Sequence, residues 1–404
     1  MIFFEQAGVI TTRGFGELIE ATALLATQPV PAGRTVAIVS NVGSAGVLAA
    51  DACADLGLTV HHPHGPTRQH LLALVPCTAP VHAGPIDAGP AITGPVDADP
   101  VDTGPVDTGA TVSGEVFRQC LELLAADEQV DAIIALVLPT GATGDLVTAI
   151  KDADVAVPIA AVVLNQQESV RLLPRSRGAG DDGAAGRVPA YGYPEAAITA
   201  LARAAAYGAW RAEPRGRLPG FPDIRTADAR ALVRDFLGQA PDGGWLPPGT
   251  TAGLLSCYGI PLVAGEGDPA DVAARAGGIQ VIIRVAADHV FGPLVVFGLG
   301  GIATEVFADQ AARLTPLTDT DADKLIRSVR SAPLLLGRDG RPAASQEALR
   351  YLLLRVSRLA DDLPEVTDLS LDPVIAGPDE AFVVKARIKL APYEPQDPYL
   401  RRLR

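Results

Sequence analysis

The chain has 404 residues, 48% hydrophobic and 20% charged, which is enough for two or three folded domains with real cores. Its formal net charge of −14 argues against nucleic acid or an anionic membrane surface as a partner. No apolar stretch reaches membrane-spanning length, and the first ten residues, MIFFEQAGVI, lack the basic and apolar regions of a signal peptide, so we expect a cytoplasmic protein.

The first half of the chain predicts one doubly wound α/β domain over residues 29–173, preceded by a lead-in, residues 1–28, that contains a helix. Short continuous apolar runs alternate with segments of helical periodicity. Uninterrupted apolar strands are typical of a parallel sheet covered by helices on both faces. The predicted strands lie at 35–39, 132–138 and 157–164, and the predicted helices at 15–26, 47–56 and 115–126.

An insert over residues 84–109 interrupts this domain. Four copies of a Gly/Asp-Pro-Ile/Val-Asp unit begin at positions 84, 94, 99 and 104. One interpretation of these repeats is that their carboxylates bind calcium. The other is that local duplication has lengthened a surface loop. Stiff X-Pro units do not easily curl several carboxylates onto one ion, which favours the loop.

The second half predicts a different architecture. Residues 174–222 are expected to form a linker followed by a helix over 194–210, and residues 223–404 an α+β domain. In that domain strands are predicted at 281–285, 294–297 and 382–388, and amphipathic helices at 319–329 and 345–359.

A candidate anion site joins the first predicted strand to its helix in the segment Ser40-Asn-Val-Gly-Ser-Ala-Gly46. Glycines at 43 and 46 allow the backbone to approach a ligand closely, and the first N–H groups of a helix attract an anion. The alternative is a tight turn in which Ser44 only caps the helix.

Two segments carry a family resemblance. The run from Phe291 to Val306, FGPLVVFGLGGIATEV, and the run from Arg313 to Leu335 resemble the ATP-grasp part of NDP-forming acyl-CoA synthetases. The strand–NxGxxG–helix segment, with Gly104-Pro-Val-Asp107, resembles the ligase-CoA domain of that family, which is flavodoxin-like and similar to succinyl-CoA synthetase. Related regions are also fused to N-acetyltransferase domains in protein acetyltransferases. The resemblance therefore implies a flavodoxin-like domain followed by a partial ATP-grasp domain.

The resemblance also implies site residues and cofactors. ATP or ADP with Mg²⁺ would bind the ATP-grasp part, and coenzyme A would enter only through a further domain or partner. The implied residues comprise a phosphohistidine site at Asn41, Gly43, Ser44, Gly46 and Asp107, a nucleotide site at Gly298, Gly300, Gly301 and Glu305, a phosphate-facing Arg313, and magnesium ligands Asp368 and Asp372.

The sequence departs from the family pattern at three places. Lys385 stands where the family has an aspartate, and an ammonium group cannot coordinate magnesium. No lysine occurs between Lys151 and Lys324, so the phosphate-contacting lysines of the first ATP-grasp lobe are missing. The family carries its catalytic histidine in a Ser-His-Thr-Gly segment before a phrase like RQAGVI, whereas this chain begins at EQAGVI. The resemblance therefore implies that residues 1–28 are the tail of a preceding CoA-ligase domain that is missing here.

Three functions follow from this pattern. In the first, the chain is one part of an acid–thiol ligase that uses a phosphohistidine mechanism. On its own, the chain would be incomplete or inactive. It would work beside a chain that carries the CoA-binding domain and the histidine, and a hetero-assembly or homo-oligomer is expected. The second is a non-catalytic ligand-sensing or scaffold module, with an acetyltransferase as one partner. The third is a decayed gene product.

The remaining histidines and cysteines give two smaller predictions. His61, His62 and His64 form an H-H-x-H pattern that could hold a transition metal, although a solvated loop explains it as well. The cysteines show no metal spacing and two of them fall on apolar helical faces, which predicts buried free thiols.

Overall fold

A computed structural model describes residue 4 and residues 6–75, 104–140, 145–175, 186–263, 273, 277–288, 290–300, 309–337 and 343–393. The chain divides into two compact units. The N-terminal unit is Gly8–Glu213, and the C-terminal unit combines Met1–Ala7 with Pro214–Arg404. Within the described part, no helix is long and apolar enough to cross a membrane.

The N-terminal unit is built on a seven-stranded, mostly parallel sheet. Its strands are β1 (Thr35–Ser40), β2 (Thr59–Val60), β3 (Val106–Asp107), β4 (Ala132–Val137), β5 (Ile159–Val163), β6 (Val170–Pro174) and β7 (Arg187–Tyr191). The strand order is β2-β1-β4-β5-β7-β6, and β3 pairs with the carboxyl end of β1. Every described pair is parallel except β6 with β7. The predicted parallel α/β architecture is confirmed.

Helices cover both faces of this sheet, as continuous apolar strands require. They are α1 (Phe15–Thr27), α2 (Gly43–Asp55), α3 (Gly65–Leu74), α4 (Gly114–Ala125), α5 (Leu146–Asp152) and α6 (Pro194–Ala212). Along β1, Val36 and Ile38 point into the core cluster shared with α1, α2 and α6. Ala37 and Val39 point into the opposite cluster, shared with α3, α4 and α5. The carboxyl end of β1 is therefore fixed from both sides.

The C-terminal unit contains an antiparallel sheet. Its strands are β8 (Gly244–Trp245), β9 (Ile279–Asp288), β10 (Gly292–Leu299), β11 (Gln310–Leu314), β12 (Val366–Ala376), β13 (Ala381–Val383) and β14 (Ala386–Leu390). The order is β11-β10-β9-β12-β14-β8, with β13 paired to β12. The helices are α7 (Thr226–Gln239), α8 (Pro248–Cys257), α9 (Asp319–Ser328), α10 (Ala332–Leu335) and α11 (Gln346–Asp362). This is the expected α+β arrangement.

One face of the antiparallel sheet forms the core of the C-terminal unit. Val281, Ile283 and Val285 of β9 alternate with residues of the other face and pack in one cluster with apolar side chains of α7, α8, α9 and α11. A capping box starts α9, because the Thr318 side chain accepts the N–H of Asp321 and the Asp321 carboxylate accepts the N–H of Thr318. The described helices of this core thus pack on the face that carries Val281, Ile283 and Val285, and the exposed Arg284 of β9 lies on the opposite face.

A buried arginine organises the C-terminal core. Arg355 of α11 is 1% exposed and donates two hydrogen bonds to the carboxylate of Asp223, at 2.8 and 2.9 Å. It also donates to the carbonyl oxygen of Tyr258 at 2.6 Å, and its guanidinium lies over the rings of Phe221 and Tyr351. Buried charge is tolerated here because most of its donors have partners.

Two boundary predictions need correction, and one strand was missed. The lead-in over residues 1–28 is not separate from the domain that follows, because Leu24 of α1 is buried in the core of the N-terminal unit. The predicted linker does not end the domain at residue 173, because β6 and β7 pair on either side of residues 175–186. Strand β7 was missed because it is a five-residue segment interrupted by Pro189.

The insert and its repeats are only partly described. The last copy, Gly104-Pro-Val-Asp107, supplies β3, so it ends in the sheet rather than in a loop. The copies that begin at 84, 94 and 99 lie outside the described residues.

Candidate functional site

The candidate anion site is the junction between β1 and α2. Its backbone leaves β1 after Ser40 and enters the helix at Gly43, with Val42 as an extended N-cap that lacks a side-chain hydrogen bond. The N–H groups of Ala45 and Gly46 both donate to the carbonyl of Val42, at 3.1 Å. The N–H groups of Gly43 and Ser44 come too early in the helix to donate to one of its own carbonyl groups. The positive end of α2 can therefore attract an anion.

Asn41 holds this junction in place. Its side chain is 2% exposed, accepts the N–H of Leu138 at 2.8 Å and donates to the carbonyl of Leu138 at 3.1 Å. Leu138 directly follows β4, so one amide ties together the carboxyl ends of neighbouring parallel strands. The side-chain carbonyl and amino groups of Asn41 are thereby used within the protein, and it is a positioning residue rather than a ligand.

Asp107 lies against the start of the helix. A methyl group at Gly43 would overlap its carboxylate, and one at Gly46 would come within 3.2 Å of the Cβ atom of Pro105. The Asp107 carboxylate also accepts the N–H of Gly109 at 2.9 Å. The absence of side chains at Gly43 and Gly46 therefore allows close packing of the β3 segment on α2. The result is a carboxylate beside a positively polarised helix end.

Ser44 does not cap the helix, which corrects the alternative reading of this segment. It is the second helical residue, and its side chain is exposed. We call the set Gly43, Ser44 and Asp107, held by Asn41, the α2 N-terminal site.

The two described glycines of the predicted nucleotide loop have a packing role. Gly298 lies in β10, where a side chain would collide with the backbone of Asp309 and with Gln310. Gly300 follows β10 and donates its N–H to the carbonyl of Gln280 at 2.8 Å. Gly301 and Glu305 lie outside the described residues.

Arg313 lies on the helix-covered face of the sheet. It is opposite Val295 in the β10–β11 register, and Val295 belongs to the buried core. Its guanidinium is 3.6 Å from the carboxylate of Asp321, and both side chains are 18% exposed. The structure thus uses the charge of Arg313 to anchor α9 and directs it away from the polar face of the sheet.

The predicted magnesium ligands lie on the polar face of β12. Asp368 and Asp372 alternate with the buried residues Leu369 and Leu371, so they share the face opposite the helices. Four residues of extended strand separate their Cα atoms by about 13 Å, too far for both carboxylates to ligate one ion. The two predicted ligands therefore do not form a joint site.

The surroundings of Asp372 also disfavour a divalent cation. Its carboxylate is 3.5 Å from the guanidinium of Arg284, and its backbone N–H donates to the carbonyl of Lys385 at 3.0 Å. The residue whose backbone pairs with Asp372 is thus a lysine rather than a second carboxylate. A single carboxylate already paired with a guanidinium is a poor site for Mg²⁺, so the residues present do not fit this metal.

Sequence reasoning missed the basic residues of this face. Ser370 lies directly between Arg284 of β9 and Arg387 of β14, and Asp368 lies opposite Lys389 of β14. The alternating pattern of Val366–Leu371 and of Ala386–Leu390 was the available signal, because period-two alternation places these side chains on one face. The cross-strand register itself cannot be read from one sequence.

The histidine and cysteine predictions have separate outcomes. Among the described residues, which include His61, His62 and His64, no group of three histidine, cysteine or acidic side chains could hold a metal ion. His61 is 3% exposed and lies 3.3 Å from the carboxylate of Asp127; burial lowers its pKa although Asp127 opposes the shift. Cys53, Cys120 and Cys257 are buried free thiols, as predicted.

Comparison with known proteins identifies one domain. Residues 268–390 match the family model described as an ATP-grasp domain. The chain is 26% identical to acetate–CoA ligase [ADP-forming] I of Archaeoglobus fulgidus over 92% of this chain and 59% of that protein. It is 39% identical to the β subunit of acetate–CoA ligase [ADP-forming] I of Pyrococcus furiosus over 113 residues, 28% of this chain and 49% of that subunit.

One solved structure is similar to part of the chain. A dinucleotide-forming acetyl-coenzyme A synthetase from Ca. Korarchaeum cryptofilum, solved with coenzyme A and Mg-AMPPCP, matches 40% of this chain and 99% of its own. The identity is 26% and the TM-score is 0.35. The matched region spans 59% of the length of the A. fulgidus ligase and 49% of the length of the P. furiosus β subunit.

Proposed function

We propose, from the premise that this chain is a homologue of the ADP-forming acyl-CoA synthetases and carries their ATP-grasp domain, that it works as one part of such an enzyme. The N-terminal unit would receive a phosphohistidine at the α2 N-terminal site, and the C-terminal unit would bind the nucleotide. The CoA-binding domain and the phosphorylated histidine would lie outside these 404 residues, on a partner chain or on the same polypeptide. The observation that carries this proposal is the carboxylate of Asp107 beside the open N-terminus of α2.

The two charges of that site suit the two ends of a phosphohistidine. The backbone N–H groups of Gly43 and Ser44 donate to phosphoryl oxygens, and the partial positive charge of the helix end stabilises the negative charge. Asp107 accepts hydrogen bonds but repels phosphate, so it matches the free N–H of the imidazole ring. Together they orient the histidine with its phosphoryl group toward α2. Asn41 keeps both groups in register by fixing the end of β1 to β4.

The isolated chain is proposed to lack acyl-CoA synthetase turnover. The residues around Asp372 do not fit magnesium, and we route no catalytic step through that ion. This chain's own contribution is therefore binding and orientation at α2, with phosphate binding at the C-terminal sheet.

A non-catalytic role is the second candidate, with a specific observation in its favour. Arg284 pairs with Asp372 at 3.5 Å and the backbone neighbour of Asp372 is a lysine, whereas a metal-dependent phosphoryl transfer would need anionic ligands. A module that binds a nucleotide or phosphorylated ligand and transmits its presence to a partner, such as an acetyltransferase, would need no such ligands.

A phosphopeptide titration tests the α2 N-terminal site. The probe is a peptide containing Ser-His-Thr-Gly, phosphorylated on histidine with phosphoramidate, and the measurement is isothermal titration calorimetry. Ser44→Asp places a negative charge at an exposed position of the first turn, and Ser44→Asn is its matched uncharged control. We expect Ser44→Asp to weaken phosphopeptide binding by at least about tenfold, and Ser44→Asn to leave it near that of the native chain.

Two further arms make the test specific. The unphosphorylated peptide should bind at least about tenfold more weakly, because it lacks the anion that α2 attracts. Asp107→Asn should also weaken binding, since an amide accepts the imidazole N–H less strongly than a carboxylate does. Equal affinity of the native chain and Ser44→Asp for the phosphopeptide would refute the proposed site, while circular dichroism checks that both variants fold.

A further inference from the structure

The polar face of the C-terminal sheet is basic. Three neighbouring strands contribute Arg284 from β9, Arg387 and Lys389 from β14, and Asp368 and Asp372 from β12. Among the described residues of these strands, three basic side chains therefore stand against two acidic ones. We call this set the basic sheet face. Its excess positive charge is local, since the whole chain carries −14.

The basic groups are organised by their neighbours in the sheet. Ser370 is flanked by Arg284 on one side and Arg387 on the other, in the direct cross-strand positions. The guanidinium of Arg387 lies 4.2 Å from the centre of the Trp245 ring, a stacked arrangement that orients its donors. Two arginines therefore flank a hydroxyl group, and guanidinium forks of this kind bind phosphate oxygens well.

Each acidic residue of the face is already close to a cation. Arg284 is 3.5 Å from Asp372, and Lys389 is directly opposite Asp368 in the ladder. A phosphate group can replace either carboxylate as the partner of these exposed cations, because Arg284 and Asp372 are 45% and 39% exposed and loosely paired. A divalent metal that bound these carboxylates would instead have to displace Arg284 from Asp372 and Lys389 from Asp368.

We infer that the basic sheet face binds the phosphate groups of a nucleoside diphosphate through Arg284, Arg387 and Lys389 without a divalent metal. The inference deepens the proposed function and rests on it for the identity of the ligand as a nucleotide. The chemistry that the face recognises is a chain of two or three phosphates, which a nucleotide or an inorganic polyphosphate can supply.

Isothermal titration calorimetry with three ligand solutions separates these sources and the role of the metal. The solutions are ADP with EDTA, ADP with excess magnesium chloride, and inorganic tripolyphosphate with EDTA. We expect binding of ADP and of tripolyphosphate in EDTA, and no gain in ADP affinity on adding magnesium. Affinity should fall as salt rises, since the cations are exposed.

A matched pair of variants locates the site. Arg284→Ala removes a basic side chain that is 3.5 Å from Asp372, and Arg350→Ala removes one that is 3.3 Å from Asp323 on the helical side, with similar exposure of both partners. Arg284→Ala should weaken ADP binding in EDTA by at least about tenfold, the loss of a charge-assisted contact. Arg350→Ala should change it by less than about twofold, as expected for a remote surface pair.

Each outcome decides between the claims. Binding of ADP only with magnesium, or equal effects of the two variants, overturns the inference and leaves a nucleotide-binding lobe in place. Binding of tripolyphosphate without ADP supports the basic site but refutes the nucleotide part of the proposed function. Binding of neither ligand in any solution overturns the inference, whereas the phosphopeptide titration judges the α2 N-terminal site independently.

Discussion

Replacement of Asn41 by alanine tests whether this residue positions the α2 N-terminal site. The substitution removes two hydrogen bonds, at 2.8 and 3.1 Å, and leaves the N–H and carbonyl groups of Leu138 without their partner. An unsatisfied buried backbone group costs about 1–3 kcal/mol. Leu138 is only partly buried, so water restores part of the loss, and we expect Asn41→Ala to lower the free energy of unfolding by about 2–4 kcal/mol.

The two tryptophans allow this change to be assigned to one unit. Trp210 lies in the N-terminal unit and Trp245 in the C-terminal unit. In a Trp245→Phe background, urea unfolding followed by fluorescence therefore reports on the N-terminal unit alone. Ser44→Ala, an exposed change in the same segment, should alter the free energy by less than about 0.5 kcal/mol. A loss below about 0.5 kcal/mol for Asn41→Ala would refute the positioning role.

The remaining predictions concern the buried charge and the thiols. Arg355→Leu should lower the free energy of unfolding of the C-terminal unit by about 1–3 kcal/mol, because it leaves the buried carbonyl of Tyr258 without its donor, whereas water solvates the exposed carboxylate of Asp223. The hydrogen bond from Arg355 lowers the pKa of Asp223 below its ordinary value. The extra stability of the native chain relative to Arg355→Leu should therefore be complete at neutral pH and decline as pH falls below about 4. An equal difference in unfolding free energy at pH 7 and pH 3, measured by urea unfolding, would contradict this. Burial raises the thiol pKa of Cys53 and Cys120 to about 12, so iodoacetamide at pH 8 should label neither, by peptide mass spectrometry, until denaturant is added.

Sequence patterns identified most of the fold because burial leaves a periodic signal. The continuous apolar runs of β1, β4 and β5 and the helical spacing of α4 give the parallel domain directly. Strand β12 was missed as a strand because its first half alternates aspartate and serine with leucine, and it was interpreted only as a metal motif. The Pro-containing β7 shows the same limit, since a short strand can be specified by its neighbours more than by its own residues.

The candidate site was located from sequence, but the roles of its residues were not. The strand–glycine–helix pattern predicted a helix from residue 47, whereas α2 begins at Gly43 and Gly46 lies inside it. The partner of Asn41 is 97 residues away, so its hydrogen bonds to Leu138 cannot be read locally. The same holds for Arg313, which a family motif assigns to phosphate and which the register of β10 and β11 pairs with Asp321 on the helical face.

Hydrogen–deuterium exchange of the native chain with the histidine-phosphorylated peptide tests the central claim most directly. The account predicts slower exchange in peptides that cover the β1–α2 junction, where the N–H groups of Gly43 and Ser44 would donate to the phosphoryl group. The unphosphorylated peptide should leave this segment unchanged. Unaltered exchange at the junction while the phosphopeptide is bound would contradict the proposal that α2 receives the phosphohistidine.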